Sequence, residues 1–294
     1  MSDHNKPLVS ICIPTYNGEK FIAEALHSVL NQDYDNLEII LSDDRSSDNT
    51  VQFAKAILSK SGLKHHIDSH EPSGIGANWN NTIKLASGAY IKFLFQDDVL
   101  KPNCISEMVK AAENFPDAGL IYSRRDYLIE DPESVSEEFI SYYGELHTHW
   151  QDLKIESGCL AGREYLKDSA FLNSPKNKIG EPTNVLIKTD VFKKVGYFNE
   201  SMKQALDSDF WYRLMPFYNV VFIDKILVKF RLHEDQTSAI NKQNREQDQE
   251  LIYKEYYKHL LPYLHPKNKS KLLKRYHPFY KALVSIKRTI YGQK

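Results

Sequence analysis

Twice within the first sixty residues a compact apolar run breaks off into turn-forming residues and gives way to apolar positions four apart. Leu8 to Ile13 is closed by Pro14, whose fixed φ and missing N–H end a buried strand, and Phe21/Ile22, Ala25/Leu26 and Val29/Leu30 then step along one helical face. Leu37 to Leu41 ends at Ser42-Asp43-Asp44; after the turn and cap residues Arg45 to Thr50, Val51, Ala54 and Leu58 mark a second helix. Strands that alternate with helices pair in parallel, because each helix carries the chain back to the edge where the strand began. The expected fold is therefore an α/β one with a doubly wound, mostly parallel central sheet. In such sheets ligands bind outside the carboxyl ends of the strands. Pro14 to Gly18, Asp43/Asp44 and Asp97/Asp98 all fall at such ends.

The last of these is the most informative. Tyr90 to Leu100 is a run of aromatic and branched apolar residues that ends in two adjacent carboxylates, Asp97 and Asp98. Like charges side by side at the end of a buried strand call for a cation or a donor-rich ligand, and a divalent metal carrying a phosphate is the economical one. A solvated turn is the plain alternative, since two aspartates alone are a weak motif.

Around it the chain continues in the same manner. Gly74-Ile75-Gly76 opens a helix with Trp79, Ile83 and Ala86 on one face and Ser87-Gly88 at its end; Lys101-Pro102 starts another with Ile105, Met108/Val109 and Ala112. Ala118 to Tyr122 and Asn184 to Ile187 are further strands, and Val220 to Ile223 and Ile226 to Phe230 are two last ones. Residues 124 to 175 lack a clear period, and long stretches of that kind within a domain serve as lids or binding surfaces. Asp207 and Asp209 open an aromatic helix, where carboxylates suit the macrodipole. His65, His66 and His70 sit on a strand, with no shared helical face and no zinc spacing, so they are expected to be solvated.

Composition narrows the class. Three cysteines, widely spaced, form neither a disulfide framework nor a zinc ribbon, which fits a reducing compartment. No apolar run reaches the roughly 18 to 20 residues of a membrane span, and Met1 to Pro7 has no signal-peptide pattern. The expected location is the cytoplasm, free or peripheral on the cytosolic face of the membrane. A net charge of −1 hides an uneven distribution: from Tyr256 to Lys294 there are ten Lys or Arg and no Asp or Glu. Leu272/Leu273, Tyr276, Phe279/Tyr280, Leu283/Val284, Ile286 and Ile290 interleave with those cations, as in a basic amphipathic segment that binds an anionic membrane surface or packs on its own domain. Nucleic-acid binding is not expected, because the basic residues concentrate in this tail and no recognition module is present.

Taken in order, Val9-Ser10-Ile11-Cys12-Ile13-Pro14-Thr15-Tyr16-Asn17, Asp43-Asp44-Arg45-Ser46-Ser47-Asp48, Asn80 eight residues before Gly88, Asp97-Asp98, Leu206-Asp207 and His233 resemble the inverting family 2 glycosyltransferases over roughly residues 7 to 240. The resemblance implies a Rossmann-like GT-A fold with a nucleotide-sugar-binding half (1–123), an acceptor-binding half (124–240) and a helical C-terminal tail (241–294). It implies a UDP- or dTDP-sugar donor, Mg²⁺ or Mn²⁺, and transfer with inversion to a saccharide or lipid-linked saccharide acceptor, as in bacterial surface-polysaccharide synthesis. By position, Pro14, Tyr16 and Asp44 match the nucleotide-base site, Asp97 the ribose-side acid, Asp98 the metal ligand, Asp207 the catalytic base and His233 the diphosphate side. Phe95 and Leu206 stand where many members carry acids. A sugar-nucleotide-binding scaffold without activity is the alternative from another class; a nucleotidyltransferase would need a Gly-rich phosphate loop, which Pro14-Thr15-Tyr16-Asn17 is not.

Overall fold

The computed structural model describes residues 6–234, 236, 245–280 and 282. At its centre is a nine-stranded sheet. Strands β1 (Val9–Thr15), β2 (Leu37–Asp43), β3 (Lys64–Ser69) and β4 (Tyr90–Phe93) pair in parallel in the order β3-β2-β1-β4. Helices α1 (Ile22–Leu30), α2 (Thr50–Leu58) and α3 (Ile75–Leu85) are their crossovers. Every residue of β1 and β2 is buried, which is why both read as unbroken apolar runs.

Beyond β4 the sheet is mixed, where a mostly parallel one was expected. β8 (Val185–Lys188) lies antiparallel between β4 and β6 (Ala118–Ile129). β9 (Asn219–Leu232) runs parallel to β6, while β5 (Val99–Leu100) and β7 (Gly158–Ala161) add antiparallel to β9. The two expected last strands are one, β9, with Asp224 and Lys225 exposed at its middle. The antiparallel insertion has a functional consequence. An antiparallel strand starts where its neighbour ends, so the loop entering β8 is delivered beside the residues that leave β4.

Successive side chains of β1 serve opposite faces of the sheet. Ile11 and Ile13 join α1, α2 and α4 (Cys104–Asn114) in one core. Cys12 joins Phe93, Trp79 of α3 and the helix α8 (Leu206–Leu214) in the other. The stretch from 124 to 200 holds the extension of β6 together with α5 (Glu137–Gly144), β7, α6 (Gly162–Lys167), β8 and α7 (Asp190–Val195). The C-terminal helices α9 (Arg245–Glu255) and α10 (Pro266–Tyr276) are not set apart. Ile252, Tyr256, Leu260, Leu264 and Leu272 are buried in the same core as α8. Leu283, Val284, Ile286 and Ile290 lie outside the described residues. No described helix is long and apolar enough to cross a membrane.

Candidate active site

Two Asp-Asp pairs sit at the carboxyl ends of the sheet, and their environments differ. Asp43 accepts from the Thr15 hydroxyl (2.9 Å), the Ser46 N–H (2.8 Å) and the Ser46 hydroxyl (2.6 Å). The N–H groups of Ser73 (2.8 Å) and Gly74 (3.3 Å) donate to Asp44, whose carboxylate also lies 3.6 Å from His70 Nδ1. His70 is thus half-buried and engaged where solvation was expected. Its Nε2 is 3.0 Å from Ser42 Oγ, and although burial pushes its pKa down, the Glu71 carbonyl, Asn78 and the Asp44 charge raise it overall. His65 and His66 are exposed.

Next to this pair Pro14 is buried in β1, while the Tyr16 side chain is open to solvent. The backbone of Tyr16 is nonetheless fixed: its N–H donates to Gln96 Oε1 (2.9 Å) and its carbonyl accepts from Gln96 Nε2 (3.0 Å). A Cβ at Gly18 would fall 2.3 Å from Gln96 Oε1, so any larger residue there would displace the Gln96 amide that holds the Tyr16 backbone.

The second pair divides. Asp98 is fully buried, with Oδ2 accepting from the Thr183 hydroxyl (2.6 Å) and Oδ1 from the Arg231 N–H (3.0 Å). Burial, and after it the neighbouring Asp97, push this carboxyl well above its usual pKa. Asp97 stays partly open, its Oδ2 3.0 Å from Nε2 of His233. Both residues are fixed from β9: the Arg231 Nε donates to the Asp97 carbonyl (2.7 Å), and its buried guanidinium pairs with Glu24 and Glu130 and lies over the Phe21 ring. The His233 ring packs on that same Phe21.

Asp207 is in the first turn of α8. Its Oδ1 accepts from the Ser208 N–H (2.6 Å) and its Oδ2 from Asn177 Nδ2 (2.8 Å). Asn177 cannot present its oxygen instead, because Oδ1 already accepts the N–H groups of Ile179 (3.0 Å) and Gly180 (2.9 Å). Burial, with a contribution from the Glu181 charge, raises the Asp207 pKa to about 7. Glu181 pairs with Arg125 (2.7 Å), which stacks on Tyr127. The loop from Asn177 to Asn184 therefore touches Asp207 at one end and, through Thr183, Asp98 at the other. Glu181 lies between them and raises both carboxyls.

The two positions without acids are occupied by packing. Phe95 lies against Trp79 with centroids 5.0 Å apart, and Leu206 is buried against Gly76, where a Cβ would come within 2.8 Å of its Cδ2. Sequence patterns missed Asn177, Glu181, Thr183, Arg125 and Gln96. None stands at a fixed offset from a strand end, and Arg125 turns inward only because the β6–β9 register shifts between Ser123 and Arg125. Among the described residues no group of three or more His, Cys, Asp or Glu could hold a metal by itself.

The mixed α/β sheet flanked by helices matches the GT-A fold of glycosyltransferases. The chain belongs to glycosyl transferase family 2, whose profile matches residues 10–195. It is 30% identical over 244 residues to an uncharacterised glycosyltransferase of Rickettsia typhi, covering 79% of this chain and 66% of that protein. Its fold is similar to that of S. aureus TarS 1-349 in complex with UDP-GlcNAc, at TM-score 0.67 and 18% identity, covering 97% of this chain and 76% of the other. It is also similar to the mannosyltransferase PcManGT of Pyrobaculum calidifontis in complex with GDP-Man and Mn²⁺, at TM-score 0.65 and 17% identity, covering 99% and 77%. The chain spans just under two thirds of the length of the first curated relatives it matches.

Proposed function

We propose that this glycosyltransferase moves a hexosyl group from a UDP- or dTDP-sugar to a saccharide hydroxyl with inversion, Asp207 acting as base. The observation that carries the proposal is the loop from Asn177 to Asn184, which bonds Asp207 through Asn177 and Asp98 through Thr183 and so ties together residues far apart in sequence. Inversion requires a single displacement. Asp207 takes the proton of the acceptor hydroxyl, the acceptor oxygen forms the new bond to the anomeric carbon, and the old bond breaks on the opposite face with its electrons leaving on the diphosphate. A carboxyl with a pKa near 7 is matched to that task, being largely ionised just above neutrality yet basic enough to hold the proton. Pro14, Tyr16 and Asp44 form the wall we assign to the nucleotide base, with the open Tyr16 ring as a stacking face.

For the metal we choose Asp97 and His233 over Asp98. Asp98 has no exposed surface under Thr183 and Arg231 from which to reach a ligand, whereas the partly open Asp97 and His233 offer an oxygen and a nitrogen 3.0 Å apart. That donor pair fits Mg²⁺ or Mn²⁺ if diphosphate oxygens complete the shell. Such an ion would neutralise charge on the leaving diphosphate. The remaining residues do their part without it: Arg231 fixes the Asp97 backbone, and Phe21 orients the His233 ring.

We further propose a lipid-linked acceptor in surface-polysaccharide synthesis, met by the enzyme at the cytosolic face of the membrane. Because Leu272 is buried in the domain, the described residues of this segment that remain for a lipid surface are those on the outer side of α10, with Lys267, Lys271, Lys274 and Arg275, and the exposed Phe279 and Tyr280. Sedimentation with anionic liposomes tests this part, and equal behaviour of the protein and a charge-reversed Lys271→Glu/Lys274→Glu variant would overturn it. The central test is hydrolysis of UDP-, dTDP- and GDP-sugars with and without Mn²⁺. Release of one nucleotide diphosphate that needs metal and is lost in Asp97→Asn and Asp207→Asn supports the assignment. No release and no nucleotide binding would favour the scaffold alternative.

A further inference from the structure

The helix that carries Asp207 is held from a part of the chain that the sequence motifs do not reach. Asp248, in α9, is 3% exposed, and its Oδ2 accepts three consecutive backbone N–H groups, those of Lys203 (2.9 Å), Gln204 (2.5 Å) and Ala205 (3.1 Å). Ala205 is the N-cap residue of α8, and its carbonyl accepts the Asp209 N–H (3.0 Å). Fixing Ala205 therefore fixes the first turn, in which Asp207 stands. A carboxylate at that end also matches the helix dipole. α9 can act as an anchor because Ile252, and Tyr256 directly after its end, are sunk in the core shared with α8.

The other end of the same loop is held from α3. Asn80 accepts the Phe198 N–H (3.0 Å) and donates to the Phe198 carbonyl and to Glu200 (both 2.9 Å). The residues from 198 to 205 are thus fixed at both ends, by Asn80 and by Asp248, and Asp207 follows directly. We propose that Asp248 is a positioning residue: its carboxylate sets the start of α8, so that Asp207 is held at the Asn177 side of the cleft. This makes the C-terminal helices part of the catalytic apparatus rather than an appendage. The inference rests on Asp207 being the base.

Three proteins would be compared: the full chain, Asp248→Ala and Asp248→Asn. The measurements are amide hydrogen exchange over residues 203–208, thermal stability, and the kcat and KM of hydrolysis for the nucleotide sugar that the panel identifies. The expected result for Asp248→Ala is at least tenfold faster exchange at Lys203 to Ala205 and a kcat at least tenfold lower, with KM for the donor within twofold. Asp248→Asn keeps an oxygen acceptor and should recover a substantial part of kcat. Exchange unchanged in Asp248→Ala would overturn the proposal. So would a kcat within twofold of the parent, or a parallel loss of donor affinity and of protection throughout the sheet, which marks a merely structural role. A parent protein that hydrolyses no donor overturns the base assignment itself, and this inference with it. An active parent matched by an equally active Asp248→Ala overturns the positioning role alone.

Discussion

Asp43-Asp44 and Asp97-Asp98 are the same dipeptide at the same end of strands on either side of β1, yet they are put to different use. The first pair is saturated by nearby hydroxyls and N–H groups that hold the loops after β1 and β2 in shape. In the second, one member is sealed under Thr183 and Arg231 and the other is left beside His233. What separates them is the origin of the partners. Those of the first pair are mostly supplied within about thirty residues, whereas those of the second come from 85 to 136 residues away. Neighbouring strands and loops shape the wall around the first pair, whereas remote segments set which member of the second is sealed and which stays open.

The widest separation between the pairs should appear in catalysis. Asp97→Asn should lower turnover about a thousandfold, the scale expected for losing a group that organises transition-state charge, while thermal stability stays near the parent. If Asp43→Asn, expected to act mainly on stability, cost as much turnover at full stability, the comparison would collapse. Next in size is the pH response of the cleft. Turnover should climb through about pH 7 as Asp207 ionises, and Asn177→Ala, which removes a donor to the charged form, should move that midpoint upward in a pH–rate profile. Stability has the opposite sign. The folded state holds a proton that the unfolded chain releases at 3.8, so stability relative to Asp207→Asn should decline as pH rises from about 4 to about 7.

Smaller effects sharpen the contrast. Thr183→Val leaves a buried Asp98 oxygen without its donor and should cost about 1–3 kcal/mol in a denaturant titration. Glu38, held by Lys64, Ser10 and Ser87, has a pKa brought down to about 2 by these hydrogen bonds against the opposing effect of burial. Its contribution, of the order of 1 kcal/mol, should be present above pH 4.5 and fade as pH falls toward about 2. Least of all, Tyr16→Ala should leave stability within about 0.5 kcal/mol, as for other open side chains, while raising KM for the donor.

The first half of the fold was legible because its signals are local. Pro14 closes a strand, the four-residue spacing from Phe21 to Leu30 makes a helix face, and parallel pairing follows from their alternation. In the second half the main strands were legible but their directions were not, because β8 is four residues long and its antiparallel direction is set by tertiary packing rather than by any residue within it. The same holds at the site. Asp97, Asp207 and His233 could be singled out by motif, but that Asp98 would be sealed depended on Thr183, whose place follows from that strand's direction. Phe95 and Leu206 were visible as departures; that both are absorbed by aromatic and aliphatic packing around Trp79 and Gly76 was not.

Arg231 carries a consequence for how the protein is made. Its N–H reaches Asp98 across 133 residues, its Nε holds the Asp97 carbonyl, and its guanidinium closes on Glu24 in the first helix. A nascent chain that has just emitted residue 123 already contains β1 to β4, but nothing that can cover Asp98. The halves that sequence motifs separate, 1–123 and 124–240, are therefore joined at Asp98, whose cover comes wholly from the second. A fragment ending before β9 should leave an uncovered carboxylate where the finished protein has a sealed one.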